Sequence, residues 1–263
     1  MADPIFSIPD LSKSRILITN DDGIQAKGIG VLERIARSLS DDVWVVAPEV
    51  EQSGTSHSLT LRRPLRMRRS GGDRRFAVDG TPTDSVLMGV CHVLKDHKPD
   101  LVLSGVNRGG NLGDDVTYSG TIAAAMEGCL LGIPSIALSL MVALTGSAKW
   151  DTAEKMAPEL IRKLCSTGFP RGVFVNVNFP DLPTEAVKGT KVVRLGQRKI
   201  GSQLEQRFDP RGAPYYWIGP LREEDKHGGD TDISVVHDGY VSVTPVHLDL
   251  TDKPTIAALQ GTV

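Results

Sequence analysis

Hydrophobic positions fall into short, β-branched runs that alternate with stretches of helical spacing. Arg15–Thr19 (RILIT) reads as a buried strand entering a loop at Asn20-Asp21-Asp22-Gly23. Ala26–Leu39 places Ile29, Leu32, Ile35, Ala36 and Leu39 on one helical face. Asp42–Ala47 (DVWVVA) is a second buried strand, stopped by Pro48. Strand, helix and strand within about 30 residues predict a right-handed βαβ unit and a sheet that starts parallel. Leu59–Arg68 alternates, and Gly71-Gly72 turns the chain into Arg75–Val78, which predicts a hairpin. Thr83–Leu94 predicts a helix capped by Thr81 or Thr83. Further strands are expected at Leu101–Ser104, Ser135–Leu138, Phe174–Asn178 and Val192–Leu195, and helices at Ser119–Leu131 and Ala153–Cys165. Thr231–His237 and Tyr240–Thr244 predict a last helical turn and strand. The fold class is α/β, a doubly wound sheet with β-hairpin excursions. Residues 1–14 are expected to form a loose lead, and residues 15–263 a single domain. The stretch from Gln197 to about Gly229 turns polar, yet it holds Phe208, Tyr215, Tyr216 and Trp217.

Composition narrows the function classes. The chain has 263 residues, is 24% charged and carries a net charge of −2, which argues against a constitutive nucleic-acid or membrane-surface binder. Its three cysteines, Cys91, Cys129 and Cys165, are far apart and odd in number, so no disulfide framework or zinc site is expected. Each sits in an apolar run and reads as a small buried hydrophobe. The N-terminal residues lack the pattern of a signal peptide, and no apolar run approaches the ~18–20 residues of a membrane span. A cytoplasmic enzyme or binding protein is expected. The arginine run Arg62, Arg63, Arg66, Arg68, Arg69, Arg74 and Arg75 reads as a solvated hairpin face, with RNA or polyphosphate binding the alternative; of the aromatics that stacking would need, only Phe76 is near.

Ligands of open α/β sheets sit beyond the carboxyl ends of the strands, near a switch point. Four unusual loops fall there: Asn20–Gly23, Glu49–Ser58, Ser104–Tyr118 and Asn176–Pro180. Adjacent carboxylates at the end of a buried strand, Asp21 and Asp22, repel each other unless a cation or donors compensate. They read either as a helix cap with one solvated Asp or as a metal site, for which Gly23 supplies the backbone bend. Ser104–Asp115 holds four glycines and two asparagines in twelve residues and leads into Tyr118-Ser119-Gly120-Thr121. That helix start is either simply capped or a phosphate cradle. It lacks the Walker lysine pattern and the dinucleotide glycine fingerprint. Gln52–Ser58 is rich in hydroxyls but is no nucleophile elbow, and His57 within it is structural or the histidine nearest the site. Two Asp, an Asn and a Ser hydroxyl would offer only oxygen, which selects Mg²⁺ or Mn²⁺ and suits a phosphate ester as substrate.

The strings ILITNDDGIQAKGI, VVAPEVEQSGTSHSLTLRRPL, VDGTPTDSV, LVLSGVNRGGNLGDDVTYSGTIAAAMEG, NVNFP and TDISVVHDGYVSVTP occur in this order between about Arg15 and Pro245. Together they resemble the stationary-phase survival protein (SurE) family of metal-dependent nucleotidases. The resemblance implies a Rossmann-like α/β domain and hydrolysis of nucleoside 5′-monophosphates, with 3′-nucleotides and short polyphosphate as side activities. It implies one divalent cation per subunit, Mg²⁺ or Mn²⁺, held by Asp21, Asp22, Ser53 and Asn107, with phosphate on Asn107, Ser119, Gly120 and Thr121. Asp21 or Asp22 would be the base or, alternatively, would carry phosphate covalently. It also implies a homodimer or homotetramer joined through a C-terminal arm at about 197–229. The partner expected is thus a nucleoside monophosphate, not a membrane or a stably bound nucleic acid. The rival reading from another class is a regulator that binds nucleotide without hydrolysing it.

Overall fold

Ile16 and Ile18 of the first strand face one side of the sheet and Leu17 the other, and all three are fully buried. This two-sided burial requires cover on both faces, and helices supply it. The computed structural model describes residues 5–143, 147–200, 204–218, 222–224, 229–260 and 262. In chain order its main elements are β1 (Arg15–Thr19), α1 (Lys27–Arg37), β2 (Asp42–Pro48), β3 (Met67–Arg69), β4 (Arg75–Val78), α2 (Pro82–Met88), β5 (Leu101–Arg108), α3 (Gly120–Leu130), β6 (Ser135–Leu140), α4 (Trp150–Thr167), β7 (Val173–Phe179), β8 (Thr190–Val192), α5 (Asp232–His237), β9 (Val241–His247) and α6 (Lys253–Gln260). The nine strands lie in the order β8-β9-β7-β6-β5-β1-β2-β4-β3. Neighbours from β7 to β4 run parallel, whereas β9 is antiparallel to β7 and β3 to β4.

α1 and α4 cover one face: Ile29, Leu32 and Ile35 pack with Ala153, Ala157 and Ile161 over Ile16, Ile18, Leu101 and Leu103. On the other face α2 and α3 bring Val86 and Ala124 onto Leu17, Val46 and Val102. From β1 the chain winds outward through α1 to β2 and β4. It then returns through α2 to β5, which pairs with β1 from the opposite side, Thr19 beside Ser104. The gap beyond β1 and β5 is therefore the switch point of the sheet.

The structure departs from the sequence reading at several elements. Residues 5–14 of the expected loose lead are pinned: Ile5–Phe6 pair antiparallel with Phe169–Pro170, Leu11 is buried, and the Ile8 N–H donates to the Cys165 carbonyl at 2.8 Å. Residues 1–4 of that lead lie outside the described residues. The strand expected from Leu59 begins only at Met67, because Pro64 interrupts the run and Leu61 is exposed. The helix expected over Thr83–Leu94 is an α-helix to Met88 and a wider π turn over Gly89–Val93, with Thr81 as its cap. Cys91 is exposed, on the outer side of that turn, while Cys129 and Cys165 are buried. The expected strand at Val192–Leu195 lies instead at Thr190–Val192, and α6 had no counterpart in the hydrophobic pattern.

Within the stretch expected as an arm, Leu204–Phe208 pairs antiparallel with Pro214–Ile218, and Arg198–Ile200 with Arg222–Glu224. Residues 201–203, 219–221 and 225–228 of it lie outside the described residues. Arginines of the β3–β4 hairpin are taken up in ion pairs, Arg68 with Glu49, Arg69 with Asp73, Arg74 with Asp42 and Arg75 with Glu33.

α1 starts so close to β5 that a side chain has no room at Gly28. A Cβ there would stand 2.0 Å from the Val106 carbonyl oxygen and 3.3 Å from the Trp150 ring. Gly28→Ala should therefore lower the unfolding free energy by about 1–3 kcal/mol, the usual cost of overpacking. At Gly30 the nearest atom to an added Cβ is the flexible end of Arg34, 3.9 Å away. Gly30→Ala should raise stability by up to about 1 kcal/mol through helix propensity. Urea unfolding midpoints of the two variants check both signs.

Candidate metal and phosphate site

β1 ends in Thr19, and the chain bends through Asn20-Asp21-Asp22-Gly23 before α1. Gly23 has φ +97°, and a Cβ there would meet the Val50 carbonyl carbon at 3.1 Å, so the bend needs glycine. The Asn20 side-chain amide donates to the Gly23 carbonyl at 2.9 Å and fixes the bend from inside. The next loop is tied to it through the Gln52 N–H, which donates to the Asp21 carbonyl at 2.8 Å. Ser56 anchors the far side of that loop, its N–H on the Tyr118 carbonyl and its hydroxyl on the Thr117 carbonyl.

A cavity of about 450 Å³ opens at this switch point. Asp21, Asp22, Ser53, Asn107 and Ser119 line it, from the loop after β1, the loop after β2, the end of β5 and the start of α3. Gly120 and Thr121 do not. They stand behind Asp21: the Thr121 hydroxyl donates to Asp21 Oδ1 at 2.5 Å, and its backbone N–H also bonds that carboxylate. A Cβ on Gly120 would sit 2.8 Å from the Asp21 Cβ. The start of α3 is thus occupied by a carboxylate of the protein itself, and Ser119 caps it by accepting from the Ile122 N–H at 3.1 Å. His57 is also away from the cavity; its Nε2 lies 2.8 Å from Glu127 Oε2 on α3, which holds the 49–58 loop against the helix.

Burial pushes the Asp21 carboxyl above its ordinary value, against the pull of the Thr121 donors. Burial and then the neighbouring Asp21 charge raise Asp22 to about 6, while the Arg108 N–H and guanidinium draw it down. Two carboxylates held in this way gain from a cation between them. The neutral groups complement that demand. The Asn107 side-chain NH₂ donates to the Gly109 carbonyl at 2.8 Å, which leaves its amide oxygen as the atom to offer. The Ser53 hydroxyl donates to Glu51 Oε1 at 2.9 Å, which leaves its lone pairs. Among the described residues no group of three or more His, Cys, Asp or Glu is placed to hold a metal. The set here is two carboxylates with an amide and a hydroxyl oxygen, and its chemistry fits a hard divalent ion.

The cavity also uses residues that the sequence did not single out. Glu51, Lys27, Arg108, Asp115, Tyr118 and Trp150 line it. Glu51 and Asp115 lie within loops that the sequence did mark, but nothing in the local pattern aims them inward. Asn176 and Asn178, in the fourth marked loop, act as scaffold. Their side-chain amides donate to the Asn111 carbonyl at 2.8 and 3.1 Å, and Asn178 Oδ1 accepts from the Asn111 N–H at 2.8 Å. They hold the glycine-rich loop from behind.

Comparison with known proteins agrees with this architecture. The family model described as survival protein SurE matches residues 16–202. A protein of Paramagnetospirillum magneticum named 5′-nucleotidase SurE is 59% identical over 253 residues, 96% of this chain and 97% of the relative. A protein of Rhodospirillum rubrum with the same name is 53% identical over 257 residues, 97% of this chain and 98% of its own. The crystal structure of the SurE protein from Aquifex aeolicus superposes with a TM-score of 0.82 at 42% identity, covering 94% of this chain and 98% of that one. The chain belongs to the SurE family of survival proteins.

Proposed function

We propose that this chain is a divalent-metal-dependent phosphomonoesterase that hydrolyses nucleoside 5′-monophosphates. The observation that carries the reading is the convergence of Asp21, Asp22, Ser53 and Asn107 on one oxygen-lined cavity, in a chain whose relatives are named 5′-nucleotidases. Asp21, Asp22, Ser53 and Asn107 would hold Mg²⁺ or Mn²⁺. When bound, such an ion supplies positive charge to phosphoryl oxygens and acidifies water. Asp22, the less buried of the two carboxylates on the cavity wall, would take the proton from attacking water. Asp21 is fixed by Thr121 and serves as ligand. Ser119 and Asn107 line the wall that a phosphate would face, and Lys27 and Arg108 add cationic charge there. A regulator that binds without hydrolysing finds no support in the names of the relatives.

Activity on a panel of nucleoside monophosphates should require added Mg²⁺ or Mn²⁺ and vanish with chelator. In the metal-free protein Asp22 keeps its proton up to about pH 6, against 3.8 for an ordinary Asp. Its contribution to stability is therefore present at low pH and lost as pH rises through about 6. A cation competes with that proton, so the metal concentration for half-activity should climb as pH falls below 6. Full activity after exhaustive chelation, or a pH-independent metal titration, contradicts the reading.

Thr121→Val keeps the shape but removes the donor to Asp21. It should raise the half-saturating metal concentration by about 10-fold or more, as loss of an outer-shell partner does, with the inhibition constant of inorganic phosphate little changed. The opposite result would return Thr121 to the phosphate.

The arm supports a further part of the proposal, a homo-oligomer. Phe208, Tyr215, Tyr216 and Trp217 are all exposed on its hairpin, Tyr215 and Trp217 on one face and Phe208 and Tyr216 on the other, and exposed aromatics of this kind mark interfaces. Light scattering should give an oligomer for the wild type and a smaller mass after Tyr215, Tyr216 and Trp217 are changed to Ser. A monomeric wild type sinks the arm as assembly element.

A further inference from the structure

Asp115 creates an electrostatic difficulty. It lines the same cavity as Asp21, Asp22 and Glu51, so four carboxylates surround the space. Lys27, Arg108 and one divalent ion would together only balance these four charges, so a carboxylate left unmasked counts directly against an entering phosphate dianion. Arg198 stands against Asp115, and both side chains are nearly sealed from solvent, 2% and 4% exposed. Arg198 Nε donates to Asp115 Oδ2 at 3.0 Å and Nη2 contacts the same oxygen. Nη2 also reaches the Gly110 carbonyl at 3.3 Å, and the Arg198 N–H donates to Asp114 Oδ2 at 2.9 Å. One side chain therefore grips both ends of the cavity-lining segment 110–115. The segment is held from the same direction by Asp232, whose carboxylate accepts from the Gly113 and Gly196 N–H groups at 2.9 and 2.7 Å.

Arg198 comes from the first strand of the arm, 83 residues after Asp115. A buried ion pair of this kind is a poor device for stability, because desolvation offsets much of its attraction. Its position suggests another use. We propose that Arg198 is a positioning residue of the substrate cavity, supplied by the root of the arm, that masks the charge of Asp115 and fixes the glycine-rich loop for a phosphate dianion. The proposal rests on the phosphomonoesterase reading above.

The test uses inorganic phosphate as the probe, at saturating Mn²⁺, with the inhibition constant and the KM for a nucleoside monophosphate measured side by side. Arg198→Gln leaves Asp115 unmasked and should weaken phosphate about tenfold, the scale of one partly screened charge near a dianion. Asp115→Asn removes one negative charge from the cavity wall while the Arg198 cation stays, and should tighten phosphate several-fold. The double variant Asp115→Asn/Arg198→Gln removes both charges and should return the constant to within about threefold of wild type. Single variants that both weaken phosphate, with a double variant no better than the worse of them, would leave Arg198 a purely structural group and overturn the proposal. Should Arg198→Gln fail to fold, Arg198→Lys keeps the charge and should hold the phosphate constant near wild type, while Asp115→Asn must still tighten it; failure of either overturns the proposal. A wild type with no metal-dependent release of phosphate would instead overturn the reading of the site itself.

Discussion

Two adjacent carboxylates at the end of a central strand, Asp21 buried and Asp22 half-buried, are the constraint around which this molecule is built. Left alone, Asp21 and Asp22 would be costly, since burial and mutual repulsion both oppose their charge. The fold answers with directed donors. The start of α3 is brought onto Asp21 through Thr121, the backbone at Arg108 is brought onto Asp22, and Gly120 is kept bare so that helix and carboxylate can touch. Each answer comes from an element placed by the switch in sheet order between β1 and β5. The residual charge that these donors leave is what a hard cation is suited to meet.

The glycine-rich loop shows how a flexible segment is made definite without a core of its own. Leu112 is a fully buried apolar anchor of it, packed on Ile233 and Val236. The polar supports of its segment 110–115 arrive from the later half of the chain. Asn176 and Asn178 take Asn111, Asp232 takes Gly113, and Arg198 takes Gly110 and Asp115. The site is therefore assembled only when the C-terminal part of the chain has come back over the sheet. Such long-range closure is slow to form.

Much of this was readable from residue pattern. β1 and β4 match their expected bounds because charged residues and turn signals mark both ends, and the Asp21-Asp22 pair stands out at the end of a buried strand, whereas Ser53 and Asn107 are singled out by the family resemblance. What escaped depends on contacts between distant residues. β5 runs on to Arg108 although Gly105 and Asn107 look like loop, because β6 continues beside it, Asn107 opposite Ser139. The hydroxyl of Thr121 is equally suited to phosphate or carboxylate, and only its meeting with Asp21, 100 residues away, decides. Arg198 looks like one more charge in a polar arm until its burial is seen.

The two margins of the sheet carry a consequence for behaviour at high concentration. Any outermost strand offers unpaired N–H and C=O groups on which another chain can add a strand. Here both margins are only three residues long, Met67–Arg69 on one side and Thr190–Val192 on the other. On the first, Arg68 and Arg69 are occupied with Glu49 and Asp73, so charge flanks the little backbone that is free. On the second, Lys191 stands in the middle, its ammonium 4.0 Å from the centre of the Tyr240 ring. Neither margin of the nine-stranded sheet offers more than a short, charge-flanked template for the addition of another strand.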